Sequence, residues 1–259
     1  MADAGADKQT FGTEGIRPLE RPSVLVRLMM RGVAWVERLN LRQAVLPNHC
    51  VYPNSDFPWA ERLEATWPAI RQELDRLLLR REELPSISDI SPDATTISSD
   101  RGWKTFILAG YGFRSARNIA LCPGTWRALQ GVPGLTTAMF SIFEPGKRLP
   151  PHRGPYNGVL RLHLGLIVPR EPHKTGIRVG DQIRHWQEGQ ALIFDDAFEH
   201  ETWNDTDQIR VVLFLDFVKP LRFPASVLNR LLISLAAVSP FVRDCKERQR
   251  EWEAAFHAH

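Results

Sequence analysis

The feature that most constrains the fold is a series of short apolar or alternating segments in the second half of the chain. They cover residues 105–108, 136–143, 159–168, 177–179, 183–186, 191–194 and 208–218. Turn residues such as Gly180-Asp181 and Glu188-Gly189 separate them. Regularly spaced short strands with glycine turns favour a sandwich or jelly roll over a parallel α/β sheet. The sequence therefore predicts a mainly β fold.

A helical pattern precedes these strands at residues 24–39. Arg27, Arg31 and Arg38 are spaced four and seven residues apart, which places them on one face of an amphipathic helix. Its charges interrupt the apolar run too often for a membrane span. Packing on the domain and contact with an anionic membrane or a partner both stay open for this helix.

Further helices are expected on both sides of the strands. Residues 59–80 carry apolar side chains at helical spacing, and residues 224–241 and 243–253 predict a C-terminal helix and a solvated helical tail. Residues 82–101 are rich in serine, aspartate and proline, which predicts a long surface loop. The fold class expected is therefore a β structure with flanking helices.

The same patterns suggest a division of the chain. Residues 1–20 contain small and charged residues without an apolar core, and predict a flexible leader. Residues 21–223 would form one domain, with N-terminal helices and a strand-rich core at about 104–220. Residues 224–259 would be a C-terminal helical appendage.

Charge and cysteine content exclude some classes of protein. The 33 basic and 30 acidic residues give a net charge of only +3, which does not argue for a nucleic-acid partner. Cys50, Cys122 and Cys245 are widely spaced, so neither a disulfide framework nor a structural zinc site is indicated. A cytoplasmic protein is expected, with peripheral attachment to the inner face of the membrane as an open alternative.

Two histidines stand out within the strand-rich core. His152 lies in the loop 144–155, and His200 lies in the segment 193–203, each beside a predicted strand. Imidazoles on neighbouring strand ends suggest a metal site. The common non-haem iron(II) site has two histidines and a carboxylate in the order H-x-D and then a distant His, but here the carboxylate position is Gly154.

The strand that follows His152 has one apolar and one polar face. Period two places Leu160, Leu162, Leu164 and Leu166 on one side and Val159, Arg161, His163 and Gly165 on the other. Burying Arg161 beside His163 is unfavourable without an anionic partner. A small dicarboxylate held by these two residues and Arg210 would satisfy all three, since a guanidinium matches a carboxylate in two hydrogen bonds.

Residues 141–221 resemble the aspartyl/asparaginyl β-hydroxylase family of iron(II)- and 2-oxoglutarate-dependent oxygenases, which includes bacterial lipid A 2-hydroxylases. The matching strings are Pro145-Gly, His152-x-Gly-Pro155, Leu160-Arg-Leu-His-Leu-Gly-Leu166, Trp186-x-Glu-Gly189, Ile193-Phe-Asp-Asp-x-Phe-Glu-His-Glu-x-Trp203 and Arg210. Weaker similarity extends upstream over most of the chain. The resemblance implies a distorted double-stranded β-helix, a cupin-like jelly roll.

The resemblance also implies a set of ligands and their contacts. Iron(II) would be the metal, bound by His152 and His200, while 2-oxoglutarate and O2 would be the cosubstrates. The oxalyl end of 2-oxoglutarate would meet Arg161 and His163. Its distal carboxylate would meet the pair Ser141 and Arg210.

Gly154 departs from the H-x-D pattern of most such oxygenases and matches the animal aspartyl/asparaginyl members, which use two histidines and a water. A missing carboxylate also marks halogenases, in which chloride takes the vacant position. Asp195 or Asp196 would otherwise either supply the third ligand or orient His200 by hydrogen bonding. The hydroxylase strings favour oxygen insertion, and the identity of the third ligand stays open.

The expected function is hydroxylation of an unactivated C–H bond. β-Hydroxylation of an aspartyl or asparaginyl group is the first hypothesis, because Gly154 and the histidine strings favour it. Hydroxylation at C2 of an acyl chain of lipid A or another membrane lipid is the second, because both ends of the chain are amphipathic. A jelly-roll binding protein without turnover is the third.

Overall fold

The computed structural model describes residues 24–258. The predicted leader at residues 1–20 lies outside this part of the chain. The chain forms two compact units, one that ends at Trp35 and one that begins at Val36. The strands described here all belong to the second unit.

Helices precede, interrupt and follow the strands. The α-helices are α1 Val24–Arg42, α2 Trp59–Ala65, α3 Trp67–Leu78, α4 Ile87–Ile90, α5 Ala116–Leu121, α6 Pro123–Leu129, α7 Ala225–Ala237 and α8 Pro240–Phe256. Short 3-10 turns lie at Asn54–Asp56, Arg81–Glu83, Pro92–Thr96 and Pro172–Lys174.

The strands are short, as expected from the spacing of turn residues. They are β1 Val51–Tyr52, β2 Trp103–Gly110, β3 Phe113–Arg114, β4 Leu135–Phe143, β5 Arg148–His152, β6 Val159–Ile167, β7 Thr175–Val179, β8 Gln182–Arg184, β9 Ala191–Phe194, β10 His200–Asn204 and β11 Arg210–Val218. Gly180, at φ +59°, makes the tight turn between β7 and β8 that a side chain would strain.

Within the described residues the strands form two antiparallel sheets. The larger has the order β1-β9-β6-β11-β4-β2-β3, and the smaller has the order β5-β10-β7-β8. From β4 to β11 the chain passes back and forth between the sheets, with β4, β6, β9 and β11 in the larger and β5, the β7–β8 hairpin and β10 in the smaller, which is the arrangement of a double-stranded β-helix. The predicted fold class, mainly β with flanking helices, is confirmed. The division into leader, domain and appendage stays a prediction.

Strand β6 separates two hydrophobic cores. Its four leucines, at positions 160, 162, 164 and 166, are fully buried on the side covered by α2 and α3. Burial of each stabilises the fold by roughly 1.5–3 kcal/mol. Its opposite face carries Arg161 and His163, which face the space between the two sheets. Phe194 and Phe214 line the same space. The alternation predicted for this strand is thus what separates the core from the site.

One local expectation was wrong. Residues 82–101 form turns and the short helix α4 rather than a loose surface loop, because Leu84, Ile87 and Ile90 are buried in the core. The C-terminal helix expected within residues 224–241, separate from the helical tail after it, is present as α7 and ends at Ala237. A new helix begins at Pro240, with the hydroxyl of Ser239 accepting a hydrogen bond from the Val242 amide as its N-cap.

Candidate active site

The two histidines face each other across the smaller sheet. His152 ends β5 and His200 begins β10, and they are partners in the antiparallel register of these strands. Their ring centroids are 4.2 Å apart. Each Nδ1 donates to the carbonyl two residues earlier, at Pro150 (2.8 Å) and Phe198 (3.0 Å). This fixes the tautomer in which Nε2 carries the lone pair.

Both imidazoles are neutral at physiological pH. Burial lowers the pKa of His200 to about 3, and the nearby charge of Arg161 lowers it further. Burial also lowers the pKa of His152, again with a contribution from Arg161. Neutral imidazole is the form that binds a metal, so protons do not compete with a metal here.

A narrow cavity of about 30 Å³ lies beside these rings, between the two sheets. The sequence predicted six site residues, and the structure brings all of them to its walls: Ser141, His152, Arg161, His163, His200 and Arg210. Aromatic and aliphatic side chains complete the lining, among them Trp103, Phe143 and Phe214. Because the cavity is so narrow, a bound dicarboxylate requires the side chains around it to move apart.

Arg210 is a buried cation that has no anionic partner among residues 24–258. Its side chain is 1% exposed, and its Nε and Nη1 atoms make no hydrogen bond. The guanidinium lies 3.8 Å from the centre of the Phe143 ring and 4.4 Å from that of Trp186. Burial lowers its pKa to about 9, so the charge is present at neutral pH. An unpaired buried guanidinium is the feature that a carboxylate ligand would satisfy.

His163 and Ser141 extend the polar wall around Arg210. Neither ring nitrogen of His163 has a hydrogen-bond partner, although the ring is buried among aromatic side chains. Burial, followed by the charge of Arg210, lowers the pKa of His163 well below its usual value, which leaves a neutral ring. Ser141 accepts a hydrogen bond from the Trp103 indole at 3.0 Å. Its hydroxyl hydrogen is therefore available to a ligand.

Arg161, in contrast, is paired by the protein itself. Its Nε donates to Asp216 at 2.8 Å, and its Nη2 contacts Asp216 at 3.2 Å and Asp196 at 2.9 Å. Burial lowers the pKa of Arg161, but the two carboxylates outweigh that effect and raise it overall. Together the two carboxylates occupy Nε and Nη2 of Arg161. Nη1 is therefore the atom with which Arg161 would contact a ligand.

The two consecutive aspartates before His200 have separate partners. Asp195 forms a 2.7 Å ion pair with Lys219, in which both side chains are only 2% exposed. Asp196 binds Arg161 through one oxygen, while its other oxygen has no partner. Burial raises the pKa of Asp196 to about 7, despite the opposing effect of Arg161.

The donor set fits a metal with two protein ligands. Within residues 24–258, no cluster of three or more His, Cys, Asp or Glu side chains is arranged to hold a metal ion. The pair of Nε2 atoms, the buried unpaired Arg210 and the unpaired His163 together fit a metal and a small dicarboxylate. Nothing in these residues replaces the missing carboxylate at Gly154 as a direct ligand.

A buried polar cluster ties the loop after His152 to two helices. The Tyr156 hydroxyl donates to Asn229 of α7 at 2.8 Å and accepts from Asn40 of α1 at 3.1 Å. Asn40 also donates to Asn157, and Asn229 donates to the Gly158 carbonyl. The segment leading from His152 to β6 is thereby held in place by the C-terminal part of α1 and by α7.

Sequence reasoning gave no role to several residues at the site. Asp216 lies on the same face of β11 as Arg210 and opposite Arg161. Its place at the site could therefore have been predicted from the two-residue period of this strand. Trp186 and the Tyr156 cluster gave no such signal, because their contacts join distant segments of the chain.

The two antiparallel sheets form a jelly roll whose enclosed histidine pair and buried arginine fit a metal and a small acid. The chain belongs to the aspartyl/asparaginyl β-hydroxylase family, whose model matches residues 64–220. The enzyme is thus a hydroxylase, and its family implies dependence on iron(II) and 2-oxoglutarate in general terms.

Similar proteins include an ornithine lipid ester-linked acyl 2-hydroxylase of Rhizobium tropici, 59% identical over 98% of this chain and 90% of its own length. The human aspartyl/asparaginyl beta-hydroxylase is 34% identical over 61% of this chain, which spans only 21% of that relative. Among solved structures, a prolyl-4-hydroxylase of Pseudomonas putida covers 59% of this chain and 87% of its own, with a TM-score of 0.39 and 19% identity.

In the part of the chain that the structure describes, no single helix is long and apolar enough to cross a membrane. The bent pair Ala225–Ala236 and Pro240–Phe256, with 53° between its members, passes the same test by length and composition.

Proposed function

We propose that this enzyme hydroxylates C2 of an acyl chain in a membrane lipid, using iron(II), 2-oxoglutarate and O2. One observation carries the choice of substrate: the 59% identity with the Rhizobium acyl 2-hydroxylase extends over 98% of the chain. It therefore includes the terminal helices as well as the jelly roll. The match to the human aspartyl/asparaginyl hydroxylase covers only 61% of the chain.

The metal would be held by Nε2 of His152 and of His200. The Nδ1 bonds to Pro150 and Phe198 keep both rings oriented and both Nε2 atoms unprotonated. When bound, iron supplies the redox chemistry that activates O2 and attacks the C–H bond. The protein's own contribution is to fix the two ligands, exclude water and aim the target carbon.

2-Oxoglutarate would complete the polar wall of the cavity. Arg210 and Ser141 would bind its distal carboxylate, which supplies the anionic partner that Arg210 lacks. His163 and Nη1 of Arg161 would meet the oxalyl end. This part of the proposal rests on unpaired atoms for Arg210 and His163, and on position in the cavity wall for Arg161.

Asp195 and Asp196 would act on the site without binding the metal. Asp195 is held by Lys219, so a direct metal bond from it would break a buried ion pair. Asp196 binds Arg161 through one oxygen, and within residues 24–258 neither aspartate forms a metal-binding cluster with the two histidines. A water would then fill the position that the family pattern assigns to residue 154. Chloride in that position, as in halogenases, is the alternative that product analysis separates.

The site of action would be the cytoplasmic face of a membrane, with α7 as a contact element. Residues 217–243 contain four basic residues and no acidic one. Val227, Leu231, Leu235 and Val238 of this segment are spaced along one side of the helix and are each more than half exposed. An exposed apolar stripe flanked by arginines is suited to an anionic lipid surface.

β-Hydroxylation of an aspartyl or asparaginyl group is the second candidate. Gly154 favours it, because the resemblance places glycine there in the animal members. The two are separated by incubating the full chain with iron(II), ascorbate, 2-oxoglutarate and ¹⁸O2, with either extracted membrane lipids or aspartyl peptides. Mass spectrometry should find the label on the acyl chain of a lipid. Label on a peptide alone would replace the lipid proposal with the second candidate, and succinate without any labelled product would reject both.

A further inference from the structure

A second, much larger cavity lies at the end of the jelly roll, away from Arg210. Its volume is about 790 Å³, within the range of roughly 300–1,000 Å³ that is typical of ligand sites. The lining is formed by the β2–β3 hairpin, the end of α6, the start of β4 and the inner face of α7. Large apolar side chains and polar groups share the walls, and the charged residue among the lining residues is Arg114.

Helix α7 lies between this cavity and solvent, with one face turned to the cavity and the opposite face exposed. Ala225 and Asn229 are buried, and Ile233 and Ala237 line the cavity one and two turns further along the same face. The opposite face carries the exposed apolar stripe described above. The helix therefore has apolar residues on both sides, a pattern typical of a wall between two apolar environments.

The floor of the cavity borders the candidate active site. Thr136 lines the cavity and donates to the Asp216 carbonyl at 3.0 Å. Asp216 in turn holds Arg161, which lines the narrow cavity with the two histidines. The register agrees, since Asp216 lies opposite both Arg161 on β6 and Thr137 on β4.

Tyr111 lies at the same junction. It lines the large cavity, and burial together with the nearby carboxylates of Asp216 and Asp196 raises the pKa of its hydroxyl. The two cavities are thus separated by a thin polar layer, made of Tyr111, Thr136 and the Arg161 ion pairs.

We propose that the large cavity holds the acyl chain of the substrate beyond C2, with α7 as its outer wall. This inference rests on the proposed lipid hydroxylation and adds where the lipid binds. The apolar part of the wall, formed by Phe113, Trp126, Leu129 and Ile233, suits a hydrocarbon chain. Arg114 is exposed and would meet a polar or anionic group near the entrance.

Neighbouring alanines at the end of α7 offer a matched test. Ala237 lines the cavity, whereas Ala236 is exposed and does not. Ala237→Trp fills the cavity, while Ala236→Trp adds the same side chain to the surface. The probe is a fluorescent polyene fatty acid, titrated into the full-length protein without added iron, so that binding is read independently of turnover.

We expect saturable binding to wild type and to Ala236→Trp with similar affinity, and at least tenfold weaker binding to Ala237→Trp. The variant should still be stabilised by 2-oxoglutarate, which shows that it folds and keeps the narrow cavity. If Ala237→Trp does not fold, Gln130→Trp at the exposed edge of the cavity replaces it, with Arg127→Trp on the same helix as its control.

Equal affinity of wild type and the cavity-filling variants would overturn the assignment, and so would the absence of saturable binding to wild type. Displacement of the probe by an aspartyl peptide, but not by a lipid, would assign the cavity to a peptide instead. Failure of the proposed function has a different signature, because binding of the probe would persist while no labelled lipid formed.

Discussion

Gly154 and Asp196 occupy adjoining space so closely that no side chain fits between them. A β-carbon added at Gly154 would lie 2.2 Å from Oδ2 of Asp196, and the Gly154 amide donates to the Asp196 carbonyl at 2.7 Å. The space that a side chain at residue 154 would enter is therefore occupied by the carboxylate of Asp196, which binds Arg161. The absence of an H-x-D motif and the Arg161–Asp196 ion pair are parts of the same arrangement.

Gly154→Ala should destabilise the protein, because its methyl group would collide with a buried carboxylate. Overpacking of this kind costs roughly 1–3 kcal/mol. The same substitution in an Asp196→Ala background should cost distinctly less, since the colliding group is gone. Urea unfolding of the four proteins measures this coupling. Additive effects would show that the two residues do not compete for space.

Arg210→Met should have opposite effects on stability and on ligand binding. Removing an unpaired buried guanidinium should leave the free energy of unfolding unchanged or raise it, by up to about 4 kcal/mol. The rise in Tm that 2-oxoglutarate gives to the wild type should disappear. Arg148→Met is the matched control, because Arg148 is exposed and pairs with Asp205 at the surface. A destabilised Arg210→Met protein that still binds 2-oxoglutarate would contradict the role given to Arg210.

Binding of 2-oxoglutarate should weaken at alkaline pH. Burial depresses the pKa of Arg210 to about 9 in the free protein, and a bound carboxylate would raise it again. Affinity should therefore be constant below pH 9 and fall by up to tenfold per pH unit above it. The free energy of unfolding of the protein without 2-oxoglutarate should instead rise above pH 9. The reason is that the unfolded chain retains the Arg210 proton there and the folded protein does not. Calorimetry between pH 7 and pH 10 measures the affinity.

His152→Ala and His200→Ala should each abolish succinate release and weaken metal binding at least a hundredfold. The reason is that each removes one of only two protein ligands in the proposed site. Cobalt(II) serves as a spectroscopic probe, and its absorption bands should be lost in both variants. His173→Ala, at an exposed position in a turn, should behave like the wild type. Wild-type cobalt spectra from either ligand variant would refute the metal assignment.

Replacing Leu231 and Leu235 by serine should release the protein from membranes. Both side chains are more than half exposed, so their removal should change stability little while it removes apolar contact area. Sedimentation with anionic liposomes measures the effect. Leu79→Ser is the control, since Leu79 is 86% exposed at the end of α3. Equal sedimentation of all proteins would exclude α7 as the contact element.

The residues of the candidate site could be predicted because they lie on regular strands. Period two along β6 separates Arg161 and His163 from the leucines, and the same period aligns Asp216 with Arg210. The structure confirms this pattern. The six predicted site residues accordingly meet in one cavity, although their individual roles stay predictions.

The remaining features depend on contacts between distant segments, which local patterns do not encode. Ile87 and Ile90 are buried by neighbours that fold over them, so a segment with loop-like composition becomes helix α4. The pairing of Arg161 with Asp196 likewise joins β6 to the turn between β9 and β10. The large cavity beneath α7 exists only once the hairpin, α6 and α7 have come together.

Because the buried guanidinium of Arg210 has no counterion among residues 24–258, the folded enzyme should be less stable without a bound carboxylate than with one. On the proposed function, 2-oxoglutarate would act as an internal counterion as well as a reactant. At a hundredfold excess over its Kd, a ligand of the folded state adds about 2.7 kcal/mol to the stability. The lifetime of the enzyme would then follow the supply of a central metabolite, so a cell short of 2-oxoglutarate would lose molecules of this hydroxylase as well as their turnover.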